Sequence, residues 1–398
     1  MREPKIDKEK LEVWAGYLIE HSIGGVSGGD RVMIKGERIA WPLIEVLERR
    51  VVEAGGVPDV MLVPPNNERG RTWSSAMARF GGLERMGEVP SWVEARYRSM
   101  DKYIEILGAE DPSAYAGLSA DQVRGIAEAE APLFGIRLAK DWCLTLFPTP
   151  AAAEMEGMDL EEYVDFVVGA STTDPGFLRD AEEKIAPIIA EAGSIEIATE
   201  HPETGRELVL EMNLEHSRPT MSYGLRNFPD GEVFTSPDAR SCAGEIFVDL
   251  PVHYGGVDIR GIYLKLVEGE IVEYSAEEGQ DQLAAIIETD EGSKRLGEVA
   301  LGMNPGLDRV IKNPLFVEKV GGTLHIAIGA SYDGCFVEDP DSPEGKAELK
   351  RLEEAGILNK SAQHVDIVTD FRSGGCGRRV TVGRTRLEVR DGLWVPAI

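Results

Sequence analysis

Part-way along this chain the period of its hydrophobic pattern changes, and that change most restricts the folds open to it. In the first half, apolar residues recur at helical spacing between short apolar runs that read as strands. Leu11, Trp14, Ala15, Leu18 and Ile19 stripe one helix. Residues 31–35 then read as a strand, 42–54 as a helix and 58–63 as a strand, an order that makes a βαβ unit with a parallel sheet. Further strands are expected at 103–107 and 142–147, and a helix at 179–191 reads as a connector. From residue 194 the texture becomes short alternating segments separated by Gly, Pro, Asp and Asn. Strands are expected there at 194–199, 207–214, 232–236, 245–250, 257–266 and 271–275, with helical patterns at 281–287 and 293–303 and a closing meander of short strands. The expected architecture is an α/β scaffold domain with a parallel sheet over residues 1–185, followed by an α+β domain rich in antiparallel strands over 186–398.

Length and charge narrow the function classes. A chain of 398 residues exceeds one ordinary core, which supports two domains. Its formal charge of −28 is spread along the whole sequence, so the surface repels phosphate backbones and anionic lipid. Nucleic-acid and membrane partners are not expected. The start of the chain lacks the apolar core of a signal peptide, and no apolar run approaches the roughly 18 residues that span a bilayer. Cys143, Cys242, Cys335 and Cys376 are scattered without paired spacing, which suits a reducing compartment, and a cytoplasmic location is expected. The glycines of 24–29 follow a helix and precede a strand, the reverse of a dinucleotide-binding loop, and read as a turn. A hairpin turn is expected at 373–375.

The density of chemistry is in the C-terminal half. At a strand's period of two, His325 stands opposite Leu324, Ile326 and Ile328, while His364, Asp366 and Asp370 share the face opposite Val365 and Ile367. Two imidazoles and a carboxylate form a metal-ligand set. Glu232 opens a strand after the turn at 228–231. Glu298 falls in the helical pattern of 293–303, off the apolar stripe of Leu296, Val299, Ala300 and Met303. Taken singly, Glu298 reads more readily as a solvated residue paired with Lys294, Glu232 as a surface residue, and His325 as a hydrogen-bonded structural histidine. The residues alone leave both readings open.

A resemblance goes further. The run Pro229-Asp230-Gly231-Glu232-Val233-Phe234-Thr235-Ser236-Pro237 resembles the first glutamate motif of the thermophilic metallo-aminopeptidases of the aminopeptidase T and aminopeptidase S type. Residues 289–302, containing Lys294-Arg295-Leu296-Gly297-Glu298-Val299-Ala300, resemble the second. Residues 321–332, with His325 followed seven positions later by Tyr332, and His364-Val365-Asp366 resemble the remaining two. The resemblance implies that Glu232, Glu298, His325, His364 and Asp366 hold two divalent cations (Zn, Co or Mn), with Tyr332 at or beside them. It also implies a homodimer that removes N-terminal residues from peptide substrates through a metal-bridged hydroxide. Glu232 or Glu298 is the expected proton acceptor, with Glu298 favoured as a helix-borne carboxylate. The interval between Tyr332 and His364 is longer than the family's, and its extra segment, 338–355, is expected to form a lid or entrance wall. Dihydroxypyridine ring-cleaving dioxygenases are also similar around the terminal His-x-Asp. That alternative implies one Fe(II) held by His325, His364 and Asp366, and leaves the two glutamate motifs without a role.

Overall fold

The computed structural model describes residues 3–63, 73–81, 89–110, 119–254, 256–372 and 377–397. The turn expected at 373–375 and Cys376 lie outside the described residues; Cys143, Cys242 and Cys335 are buried free thiols. Two compact units divide the chain, Met1–Pro175 with Gly224–Pro229, and Gly176–Tyr223 with Asp230–Ile398.

The first unit is built on β1 (Arg31–Glu37), β2 (Val57–Val63), β3 (Lys102–Leu107), β4 (Asp141–Leu146) and the short β8 (Asn227–Phe228). They form one sheet in the order β2-β1-β3-β4-β8, every pair parallel. Helix Trp41–Glu53 makes the crossover from β1 to β2 that a parallel pair requires. Val32, Met33 and Ile34 are consecutive and all buried, as befits a strand covered on both faces. A closed ionic network crosses this sheet. Glu105 receives Lys35 at 2.9 Å on one oxygen, and Arg137 at 3.1 Å and the Tyr103 hydroxyl at 2.8 Å on the other.

The second unit carries two antiparallel sheets. Its strands are β5 (Ser194–Glu200), β6 (Glu207–Asn213), β7 (Thr220–Ser222), β9 (Glu232–Thr235), β10 (Ala243–Val248), β11 (Val252–Tyr254), β12 (Val257–Ile259), β13 (Ile262–Val267), β14 (Glu270–Ser275), β15 (Leu296–Gly302), β16 (Thr323–Gly329), β17 (His364–Asp370), β18 (Arg379–Val382), β19 (Thr385–Arg390) and β20 (Leu393–Pro396). The larger sheet runs β14-β13-β10-β6-β5-β18-β19-β20; the smaller runs β17-β16-β15-β9-β7. A two-stranded ribbon pairs β11 with β12. The single strand expected at 257–266 is thus two strands, broken where Gly261 takes a positive φ of 60°. Helix Pro175–Ala192, expected as a connector, contributes Ala181, Ile185 and Ile189 to this unit's apolar core.

The smaller sheet has one apolar and one polar face. Val233, Val299, Leu301, Leu324, Ile326, Ile328, Val365 and Ile367 enter the core. The other residues of the same strands, including Glu232, Glu298, His325, His364 and Asp366, alternate with them. Glu298 reaches the polar face through a bulge. Leu296 pairs with Ile328 and Glu298 with Ala327, so β15 carries Gly297 as one residue more than β16. In a regular strand Leu296 and Glu298 would share a face; the extra residue lets Leu296 enter the core while Glu298 turns away from it. The helix expected at 293–303 is therefore replaced by a 3-10 turn, Gly292–Lys294, and strand β15. All seven residues of β15 are buried, so the strand period is hidden and the spacing of Leu296, Val299, Ala300 and Met303 mimics a helix.

Glycine at 297 is demanded by contact. A Cβ there would stand 2.1 Å from the Ala330 carbonyl oxygen and 2.4 Å from that of Gly329. Gly297→Ala is expected to destabilise the second unit by about 2–3 kcal/mol in chemical denaturation. Gly135→Ala, in helix Ala120–Leu138 with no atom within 4 Å of the new methyl, should instead stabilise its unit by about 0.5–1 kcal/mol.

Candidate metal centre

Strand register assembles the polar face. Glu298 of β15 pairs with Ala327 of β16, and Ala327 pairs with Asp366 of β17, so the two carboxylates flank a methyl group. His325 lies two residues before Ala327, and His364 two residues before Asp366 beside Gly329. Gly302 faces Glu232 across β15 and β9. Ala327 sets only a methyl group between the two carboxylates, and at Gly302 and Gly329 the Val320 and Gln363 carbonyl oxygens stand 2.2 Å from where a Cβ would be.

The distances are those of a ligand cluster. His325 Nε2 lies 3.6 Å from Glu232 Oε2 and 3.4 Å from Glu298 Oε1. His364 Nε2 lies 3.0 Å from Glu298 Oε2 and 3.5 Å from Asp366 Oδ1. Among the described residues three trios bring ligand atoms within 4.8 Å of one another: Glu232, Glu298 and His325; Glu298, His364 and Asp366; and Glu318, His325 and Asp366. Glu298 belongs to two trios and directs a different oxygen at each histidine.

All five residues singled out in the sequence come together here, and the structure adds others. Glu318 completes the third trio. Lys319, wholly buried, reaches Glu232 Oε1 at 2.9 Å and Glu318 Oε1 at 2.6 Å. Tyr332, half exposed, sets its ring against His364 at 4.7 Å and Phe234 at 5.3 Å between centroids. The signal for Glu318 and Lys319 is weak: a charged pair between Phe316-Val317 and Val320, where an apolar setting marks burial.

The residues fit a metal on their own chemistry. His364 Nδ1 lies 2.8 Å from the Ala330 carbonyl oxygen, a bond that fixes the proton there and turns Nε2 to the cluster. Glu232 Oε2 and Asp366 Oδ1 are buried without a hydrogen-bond partner. Buried carboxylate oxygens left unmade are costly unless something else coordinates them.

Comparison with known proteins agrees with this chemistry. Residues 7–374 match the model of the thermophilic metalloprotease family M29. The chain belongs to that family. It is therefore a peptidase, and so a hydrolase. Aminopeptidase PepS of Streptococcus thermophilus is 29% identical over 395 residues, covering 91% of this chain and 92% of the relative. Aminopeptidase T of Thermus thermophilus is 29% identical, covering 78% and 82%. Among solved structures, wild-type AmpT from Thermus thermophilus superposes with a TM-score of 0.71 at 23% identity over 98% of both chains. The 2,5-dihydroxypyridine dioxygenase of Pseudomonas putida KT2440 does so with a TM-score of 0.56 at 11% identity over 98% of both chains, a likeness of fold alone.

In this metalloprotease the metal-free cluster holds protons. Burial opposes a charge on His325, but Glu298, Asp366 and Glu232 outweigh it and raise the imidazole from 6.5 to about 9. For His364, burial is outweighed by Asp366 and Glu298, which raise it to about 11. Burial pushes Glu318 up to about 8 against the pull of Lys319, with Glu232 and Asp366 adding to the rise. Burial would also raise Asp366, yet His364 and His325 hold it below the usual carboxylate range.

Two further features lie in other settings. His253 Nδ1 pairs with Asp258 at 2.8 Å across the β11–β12 ribbon. The segment at 338–355 carries helix Pro343–Glu354, capped by Ser342. Its Leu349 and Leu352 pack with Ile357, Leu358, Phe336 and Val337 in a small core of their own.

Protons and metal compete for the same nitrogens. The raised histidine values stabilise the metal-free fold fully below the unfolded value near 6.5, and that contribution is lost as pH rises through about 9 and then about 11. Metal affinity is therefore expected to climb with pH between 7 and 9. Calorimetric titration of the chelator-stripped protein with zinc in buffers of different ionisation enthalpy should register release of roughly two protons per chain. A heat independent of buffer would contradict this.

Proposed function

We propose that this metalloprotease is an aminopeptidase whose centre holds two divalent cations between Glu232, Glu298, His325, His364 and Asp366, with Glu318 as a further ligand. The observation that carries the reading is the position of Glu298, shared by two trios that contain different histidines. One carboxylate with an oxygen toward each trio suits a bridge between two ions. A single Fe(II) held by His325, His364 and Asp366 would need both histidines in one trio, and the three trios found among the described residues separate them.

Such cations would supply an activated water and polarise the scissile carbonyl. Glu298 would hold both of them through its two oxygens. Its strand and bulge, not a helix, aim it. With no metal bound, burial and the negative charges of Glu298, Asp366 and Glu318 raise the Tyr332 phenol well above its ordinary 10. In this reading Tyr332 donates a hydrogen bond to the oxyanion. The acidic cluster receives the free α-amino group of a peptide, which sets the register for removal of one residue. We assign zinc, cobalt or manganese as the metal, and a cytoplasmic homodimer as the functional form, from the family resemblance; buried free thiols suit a reducing compartment. Among the described residues no helix is long and apolar enough to cross a membrane.

Purified protein should contain two ions of zinc, cobalt or manganese per chain and release anilide from leucyl anilide in a chelator-sensitive way. One iron per chain with no peptidase activity would instead mark oxygen chemistry. Glu298→Gln and His364→Ala should each abolish cleavage while leaving the circular dichroism spectrum unchanged; full activity in either would sink the assignment. Tyr332→Phe should lower kcat on the order of 100-fold with little change in KM, the signature of a donor used only in the transition state.

A further inference from the structure

Lys319 presents an unusual arrangement. It is 1% exposed, in the loop between the short helix Pro314–Val317 and β16. An ammonium has three N–H donors, and three carboxyl groups surround this one: Glu318 Oε1 at 2.6 Å, Glu232 Oε1 at 2.9 Å and Asp230 Oδ1 at 3.4 Å. Glu232 and Glu318 belong to different trios, so one side chain ties together the outer corners of both. The oxygen that Lys319 leaves on Glu232, Oε2, is the buried one without a hydrogen-bond partner.

The backbone on both sides is tied as well. Asn304 donates its backbone N–H to the Lys319 carbonyl at 3.1 Å and its side-chain amide to the Asp230 carbonyl at 2.6 Å. Gly231, between Asp230 and Glu232, has no room for a Cβ, which would meet that of Asn304 at 2.8 Å. Behind this group, Glu182 of helix Pro175–Ala192 is wholly buried. Burial, reinforced by Asp230 and Glu232, keeps it a neutral acid with a pKa of about 10, so it adds no charge.

We propose that Lys319 is a permanent internal cation that keeps the metal centre assembled when no ion is bound. This rests on reading Glu232 and Glu318 as metal ligands. The ammonium, paired with Glu318, Glu232 and Asp230, remains in both states. It pins one oxygen of Glu318 and one of Glu232, whose other oxygen has no hydrogen-bond partner. Lys319 is thus a positioning residue, acting through the carboxylates it holds. Removing one partner of a buried ionic cluster strands the others, and here the stranding is greatest in the metal-free chain. In the loaded chain the ions hold the same carboxylates.

The test is thermal unfolding of the full chain, stripped by chelator and then reloaded with zinc, for wild type, Lys319→Met and Lys319→Gln. The stripped variants should lose at least about 5 °C in Tm, and the loaded variants less than half as much, so zinc raises Tm more in the variants than in wild type. A variant that folds only with zinc present is the limiting case of that result. Equal losses with and without zinc, no loss in either state, or failure of both variants to fold even with zinc would overturn the proposal and leave Lys319 an ordinary core residue. If zinc fails to raise the wild-type Tm, it is the two-ion reading that falls.

Discussion

At Gly297 strand β15 takes one residue more than β16 can match, and the direction of Glu298 follows from that mismatch. Pairing fixes every side chain to one face or the other, so a strand with an apolar core on one side can change its polar residues only by breaking period. Here Leu296 lies in the core and Glu298, two positions on, faces the histidines. The close approach of the Ala330 and Gly329 carbonyls leaves no space for a side chain at the bulge. Packing and chemistry are therefore coupled at one residue: a change that regularises the strand would either expose Leu296 or bury Glu298 in the core.

The second constraint is the cost of placing carboxylates where water is scarce. Each unit solves it differently. In the first, Glu105 is met on both oxygens by Lys35, Arg137 and the Tyr103 hydroxyl, leaving its acceptor sites occupied. Such a closed network has nothing to offer a ligand and reads as structural. In the second, Glu232 Oε2 and Asp366 Oδ1 remain unbonded although buried. Protonated histidines and Lys319 offset the charge only in part, and the unbonded oxygens are what a divalent ion would take. The difference between a structural ionic cluster and a metal centre lies in these spare acceptors, not in the number of charges.

Much of this was legible in the sequence. The parallel sheet of the first unit follows from its strand and helix order, and the pairing of His364 with Asp366 on one face follows from the period of β17. The family resemblance supplied Glu232 and Glu298, which spacing alone left ambiguous. What could not be read was the conformation around Glu298. Burial of all seven residues of β15 erases the alternation that would mark a strand, and glycines at 297 and 302 look like helix weaknesses when they are close backbone contacts. Glu318 and Lys319 were missed for a related reason: a charged dipeptide has no period, and its burial depends on Glu232, 87 residues away along the chain from Lys319. The break of 257–266 into two strands turned on the backbone of Gly261, a positive φ that a glycine permits but does not announce.

The likeness in fold to a dihydroxypyridine dioxygenase shows how little of the chemistry resides in the scaffold. The polar face of the smaller sheet brings Glu232, Glu298, His325, His364 and Asp366 together by strand register. Selection among chemistries lies with the carboxylates. Histidines on β16 and β17 with Asp366 alone would suit one ion. Glu298, brought over by the bulge, gives each histidine its own carboxylate oxygen, and Glu232 and Glu318 then close the outer corners under the control of one lysine. The two-ion centre proposed for this sheet would thus depend on features outside the strand pattern itself: one inserted glycine, and one buried ammonium.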